Sequence, residues 1–135
     1  MITKIDHIAI AVQNLESALE TFRNVIGCAG EAIRIEEVAS EKVRVAFITV
    51  GETKIELLEP LSDESPIAKF IAKNGDGMHH IALQTDDINK ETERLESLNI
   101  KPLSLPKEGA GGKKIMFLHP KETNKVLIEF AQKKH

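Results

Sequence analysis

The chain carries the same pattern twice. Asp6-His7-Ile8-Ala9-Ile10-Ala11-Val12-Gln13-Asn14-Leu15 aligns without a gap on His79-His80-Ile81-Ala82-Leu83-Gln84-Thr85-Asp86-Asp87-Ile88, so His7 and His80 stand 73 positions apart. The same interval carries Glu56, in Lys54-Ile55-Glu56-Leu57-Leu58, onto Glu129, in Leu127-Ile128-Glu129-Phe130-Ala131. Each half therefore holds a His and a Glu 49 residues apart. Two His and two Glu repeated in register form the donor set of a divalent metal site at a pseudo-twofold axis.

The segments around these residues read as strands and helices in a repeated order. From Ile5 to Val12 apolar residues occupy both faces, the pattern of a strand, with His7, Ala9 and Ala11 on one side and Ile8, Ile10 and Val12 on the other. His80, Ala82 and Gln84 repeat the first face, and Ile81 and Leu83 the second. The small alanines leave room beside each His, as in the lining of a cleft. A helix follows in each half. Asn14 is placed to cap one whose apolar stripe is Leu15, Ala18, Leu19, Phe22 and Ile26, with Gly27 as its stop. Asp86 or Asp87 caps the other, with Ile88, Leu95 and Leu98 inward and an end near Asn99. Strands are then expected at 31–38, 43–50 and 53–58, with a hairpin at Gly51-Glu52, and again at 101–105, 114–118 and 125–131. Between the halves, Ser65, Pro66, Ile67, Phe70, Ile71 and Gly75 spell a short linking helix. The reading is one domain over 1–135, with a β-α-β-β-β module over about 1–61, a linker over about 62–75 and a second module over about 76–135.

Composition narrows the function. At 135 residues, 41% hydrophobic and 29% charged, the chain has the make-up of a single soluble globular domain. No apolar run approaches the roughly 18 residues of a membrane span, so no membrane partner is expected. The opening Met1-Ile2-Thr3-Lys4-Ile5-Asp6 has no basic segment leading into an apolar one, and no signal peptide is expected. With the lone Cys28 this points to a reducing, cytoplasmic setting. The net charge of −3 divides unevenly, because residues 101–135 hold eight Lys against three Glu. That basic quarter is either a solvated surface or an attractor for an anionic ligand such as an acyl-CoA. Nucleic acid is a poor fit for an acidic chain with no Trp or Tyr to stack on bases.

A single His or Glu on a strand is ordinarily structural, and it is the coincidence of all four that carries the chemistry. Carboxylates on otherwise apolar strands are costly unless paired or coordinated. Imidazole with carboxylate suits Zn²⁺, Co²⁺, Ni²⁺, Mn²⁺ or Fe²⁺, and four protein ligands leave two open positions in an octahedral site. Gly109-Ala110-Gly111-Gly112-Lys113-Lys114 lacks the residues of a phosphate-binding P-loop. It reads either as a flexible connection or as a loop over a bound acyl group, with Gly111, Gly112, Lys113 and Lys114 as candidate substrate contacts. His79 is expected to face the core and His119 to be structural.

The two modules with His7, Glu56, His80 and Glu129 at these positions resemble the vicinal oxygen chelate superfamily, which includes glyoxalase I, ring-cleaving dioxygenases and fosfomycin-resistance proteins. Within it the chain is similar to the methylmalonyl-CoA epimerases. The residues that carry this are 5–11, 55–61, 63–70, 73–75 and 77–82, then Phe117-Leu118-His119-Pro120-Lys121 and Val126-Leu127-Ile128-Glu129. The resemblance implies an α+β fold in which the two βαβββ modules form a curved, mixed eight-stranded sheet around a metal cleft. It implies interconversion of (2R)- and (2S)-methylmalonyl-CoA through removal and return of the α proton. It also implies one divalent ion, Co²⁺ favoured over Zn²⁺, Mn²⁺ or Ni²⁺, held by His7, Glu56, His80 and Glu129, with Glu129 as catalytic base as well as ligand. An acyl-CoA is the expected partner and a homodimer the expected assembly.

One position departs from that pattern. Some of these epimerases carry a second catalytic Glu where this chain has Val45, so the second acid or base is sought at Glu37, at Glu41 or in a bound water. Two other readings compete. A glyoxalase-type lyase acting on a glutathione hemithioacetal can use the same four ligands, whereas a metal-free binding protein for a small drug or toxin would have little use for them.

Overall fold

The computed structural model describes residues 1–27 and 33–133. Among the described residues eight strands and three α-helices follow one another as β1 (Ile2–Ala11), α1 (Leu15–Ile26), β2 (Ile33–Val38), β3 (Val43–Val50), β4 (Thr53–Pro60), α2 (Pro66–Asn74), β5 (Gly77–Thr85), α3 (Ile88–Ser97), β6 (Lys107–Glu108), β7 (Lys114–Leu118) and β8 (Ile128–Gln132). The strands make one mixed eight-stranded sheet in the order β2-β3-β4-β1-β5-β8-β7-β6, the α+β arrangement expected. The chain divides into two compact units, Ile8–His79 and Met1–His7 with His80–His135.

In the unit Ile8–His79, β2, β3 and β4 form an antiparallel meander. Val50 faces Thr53 across the two-residue hairpin, and Gly51 takes the positive φ of 62° that the turn requires. Helix α1 begins where Asn14 accepts the Ser17 amide at 2.9 Å and ends at Gly27, a left-handed cap whose N–H returns to Arg23. Its inner stripe of Leu15 and Leu19 packs on Val12, Ala46, Ile48 and Leu57, flanked by Phe22 and Ile26. A carboxylate adds to the start of that helix. Glu59 of β4 accepts the Leu15 amide at 2.7 Å and pairs with Arg44, which also reaches Glu16. Helix α2 uses the signals foreseen: Ser65 caps the Ile67 amide, Pro66 opens the first turn, and Gly75 closes on Ile71. The start of the strand expected at 31–38, together with Cys28, lies outside the described residues.

In the other unit β8 runs parallel to β5 and antiparallel to β7, with β6 at the edge. Asp87, rather than Asp86, caps α3 through the Lys90 amide. Ile88 and Leu95 enter a core with Met116, Leu118 and Phe130. Three expectations are corrected here. Leu98 is exposed: the helix ends at Ser97, Asn99 turns the chain with a φ of 61°, and Ile100 takes the inward place. No strand forms over 101–105. Pro102 makes only an isolated bridge to Leu118, because proline has no amide to donate to a ladder. The last strand begins at Ile128 instead of Lys125, since Asn124 and Lys125 both hold left-handed backbone that no strand accommodates.

Glu91 on α3 is a buried carboxylate that ties the helix down. Burial alone would raise its pKa, but hydrogen bonds from the Met1 amino group and Arg94 outweigh that and hold it below the usual carboxylate value. A carboxyl depressed in the folded state contributes stability above its unfolded pKa of about 4.3, and loses it as pH falls through the folded value. Glu91→Gln should therefore lower the melting temperature at pH 7. The gap to the unsubstituted protein should shrink steadily below about pH 4, as read from thermal melts across that range.

Candidate metal centre

The strand register explains why two of the four singled-out residues meet, and a third joins them from β1. Glu129 on β8 pairs with Ala82 on β5, and His80 lies two residues earlier on the same face of that strand. The methyl side chain of Ala82 leaves the space that the longer groups fill. On the other side Glu129 faces Phe117 of β7, whose ring meets the His80 ring edge to face at 5.3 Å. His7 arrives on β1, and its ring stands 5.2 Å from that of His80 at a steep angle. The donor atoms converge: Nε2 of His7 is 3.1 Å from Nε2 of His80, and the two carboxylate oxygens of Glu129 lie 3.3 Å from His80 and 3.5 Å from His7. All three side chains are buried.

This set fits a divalent cation. Nitrogen ligands about 2.1 Å from a metal at right-angled or tetrahedral positions stand roughly 3.0 to 3.4 Å from one another. The measured spacings fall in or beside that window. Two imidazoles and a carboxylate aimed at one point also suit the chemistry of zinc, cobalt, nickel and manganese.

Glu56 belongs to the unit Ile8–His79. It is buried in the middle of β4, opposite Phe47 of β3. Both repeated glutamates thus have a phenylalanine as cross-strand neighbour, Phe47 for Glu56 and Phe117 for Glu129. Val45 is buried on the same face as Glu56 and carries no proton to exchange. Glu37 pairs in register with Arg44, on the opposite face of these strands, and is exposed. The carboxylate placed across from Val45 is that of Glu36, which bonds Arg34 while the Arg34 guanidinium sits 4.2 Å over the Phe47 ring.

Sequence reasoning passed over Asp6, which is completely buried beside the cluster. Its Oδ2 accepts from Nδ1 of His7 at 2.7 Å and is also bound by the ammonium of Lys113. Burial pushes the Asp6 carboxyl upward, but the His7 and Lys113 contacts overcome this and hold it well below the ordinary carboxylate range. The signal available was the charge itself, an aspartate inside an apolar strand. Lys113, one of the candidate substrate contacts on the loop before β7, is turned inward to Asp6, and Lys114 is half-buried at the start of β7. Gly111 and Gly112 both have positive φ. His79 is half-buried, edge-on to Phe70, and His119 caps a short turn by accepting the Lys121 amide.

Residues 6–117 match the Glyoxalase/Bleomycin resistance protein/Dioxygenase superfamily. The chain is 43% identical over 135 residues to an ethylmalonyl-CoA/methylmalonyl-CoA epimerase of Cereibacter sphaeroides, covering 98% of this chain and 99% of that protein. It is 43% identical over 132 residues to the mitochondrial methylmalonyl-CoA epimerase of Homo sapiens, covering 96% of this chain and 73% of the human one. Among solved structures, a variant of Streptomyces coelicolor methylmalonyl-CoA epimerase in complex with 2-nitronate-propionyl-CoA superposes with a TM-score of 0.93 at 33% identity, covering both chains completely. With the converging His7, His80 and Glu129, these similarities show that the chain belongs to the methylmalonyl-CoA epimerase family of the Glyoxalase/Bleomycin resistance protein/Dioxygenase superfamily.

Proposed function

We propose that this protein interconverts (2R)- and (2S)-methylmalonyl-CoA by taking the α proton from one epimer and returning it to form the other. The observation that carries the reading is the buried convergence of His7, His80 and Glu129 in a chain similar along its length to epimerases of this thioester. The proposed ligands of one divalent ion are these three residues and Glu56, the counterpart of Glu129 in the repeat, with Co²⁺ the favoured ion. A cation held there supplies positive charge to the thioester oxygen, and so makes the neighbouring C–H acidic.

Glu129 is the proposed base. Its carboxylate lies 3.3 Å from His80 and 3.5 Å from His7, and burial beside Phe117 and Ala82 keeps bulk water from competing for its proton. Glu56 is assigned ligation alone. Gly111, Gly112 and Lys114 are proposed contacts for the acyl-CoA. Lys113, committed to Asp6, is a weaker candidate for that role. No helix among the described residues is long and apolar enough to cross a membrane. A cytoplasmic homodimer is the proposed state.

Proton exchange tests the reaction directly. Methylmalonyl-CoA incubated with the protein in deuterated water should take up deuterium at the α carbon when Co²⁺ is present, and far more slowly with a chelator. Turnover of methylglyoxal with glutathione and no exchange of the thioester would instead establish the glyoxalase-type reaction. Metal binding should also raise the melting temperature, because a ligand that binds only the folded state stabilises it by mass action. Equal melting temperatures in saturating Co²⁺ and in chelator, starting from metal-free protein, would rule the site out. The two glutamates should separate on substitution. Glu129→Gln should keep its metal and lose about 10²-fold or more in exchange rate, the size of a general-base contribution. Glu56→Gln should keep both its metal and substantial activity. A metal-loaded Glu129→Gln exchanging at the unsubstituted rate would make Glu129 a ligand only.

A further inference from the structure

Besides the pairs Arg34–Glu36 and Lys42–Glu64, three clusters of charge among the described residues lie outside the proposed ligands. Arg44 with Glu16 and Glu59 fastens the start of α1, and Glu91 with Arg94 and the Met1 amino group fastens α3. The third, Lys113 with Asp6, touches a ligand. An ionised carboxylate can only accept, so the nitrogen of His7 that faces Asp6, Nδ1, must carry hydrogen. In a neutral ring that leaves the lone pair on Nε2, the atom 3.1 Å from His80 and 3.5 Å from Glu129. Lys113 meets the other requirement, since a carboxylate with no exposure needs an opposite charge to stay ionised.

The path of the chain delivers that charge. Gly111 and Gly112 hold φ values of 72° and 71°, and the Gly109 amide donates to the Lys113 carbonyl at 2.9 Å. A Cβ at Gly109 would come within 2.6 Å of the Ile115 side chain, so the glycine lets this turn lie close against β7. The repeat shows that the device is not a by-product of duplication. The counterpart of Asp6 is His79, which packs on Phe70 and supplies no carboxylate.

We infer that Asp6 and Lys113 are positioning residues: Lys113 fixes the Asp6 carboxylate, and Asp6 fixes the ring and tautomer of His7 so that Nε2 is presented as a metal ligand. The inference rests on the reading of His7, His80 and Glu129 as ligands. Outer partners of this kind change metal affinity by about 10- to 100-fold when removed.

The test uses Lys113→Met, Lys113→Arg and the double variant Asp6→Ala/Lys113→Met. The double variant removes both charges together, which keeps the test open should a lone buried charge unfold a single variant. Long-range proton–nitrogen NMR of the metal-free, nitrogen-15-labelled protein reads the His7 tautomer, and calorimetry reads Co²⁺ affinity. The unsubstituted protein should show His7 in the Nδ1–H form. The double variant should populate the Nε2–H form and bind Co²⁺ about 10- to 100-fold more weakly. Lys113→Met should bind with similar weakness, and Lys113→Arg should return close to the unsubstituted value. The inference is overturned if the double variant keeps the Nδ1–H form, or if it binds Co²⁺ as tightly as the unsubstituted protein. An unsubstituted protein that shows the Nδ1–H form yet binds no Co²⁺ would overturn the metal reading and uphold the hold of Asp6 on His7.

Discussion

The site depends on keeping five ionisable side chains inside an apolar sheet. Asp6, His7, His80, Lys113 and Glu129 are all buried, and all belong to the unit Met1–His7 with His80–His135. Charge removed from water is costly unless each group finds a partner. Lys113 answers Asp6, Asp6 answers one edge of His7, and the other edge of His7 turns to His80 and Glu129. A divalent cation would answer what remains, two imidazole nitrogens and a carboxylate aimed at one point. The proposed metal affinity and the stability of this unit are thus two sides of one electrostatic arrangement. A group removed from the chain of contacts is expected to disturb both.

Much of the fold was legible because its signals are local. Asn14, Ser65 and Asp87 announce helix starts through short oxygen-bearing side chains, and Gly27 and Gly75 announce ends through backbone that other residues resist. The hairpin at Gly51 was visible for the same reason. What was missed depends on conformation that composition does not betray. Lys125 reads as a strand residue, yet it lies in left-handed backbone with Asn124. Leu98 continues an apolar stripe past the residue at which the helix stops, and Ile100 then replaces it in the core.

The candidate site divides the same way. The repeat singled out His7, His80, Glu56 and Glu129, and the register of β5, β8 and β7 explains the meeting of His80 with Glu129. Asp6 was hidden by the rule that exposes most strand patterns. Alternation sends residues 6 and 7 to opposite faces, but the contact is made by Nδ1, the ring nitrogen nearer the backbone, which a short neighbouring carboxylate can reach. The link between Lys113 and Asp6 was hidden by distance, since the two stand 107 positions apart. The place of Lys113 inside the unit follows from how the glycines steer the turn before β7. The shared phenylalanines, Phe47 opposite Glu56 and Phe117 opposite Glu129, show in turn that the duplication reaches beyond the polar residues.

The division of the chain has a consequence for its synthesis. Ile8–His79 is one continuous stretch, so its meander and helices can close while the remainder is still being translated. The seven residues before it belong with residues 80–135 and must wait for them. His7, made before that stretch, meets Glu129 only when β8 emerges. The cluster of His7, His80 and Glu129 is therefore completed only once β8 has been made, and a nascent chain stalled short of β8 presents only part of it.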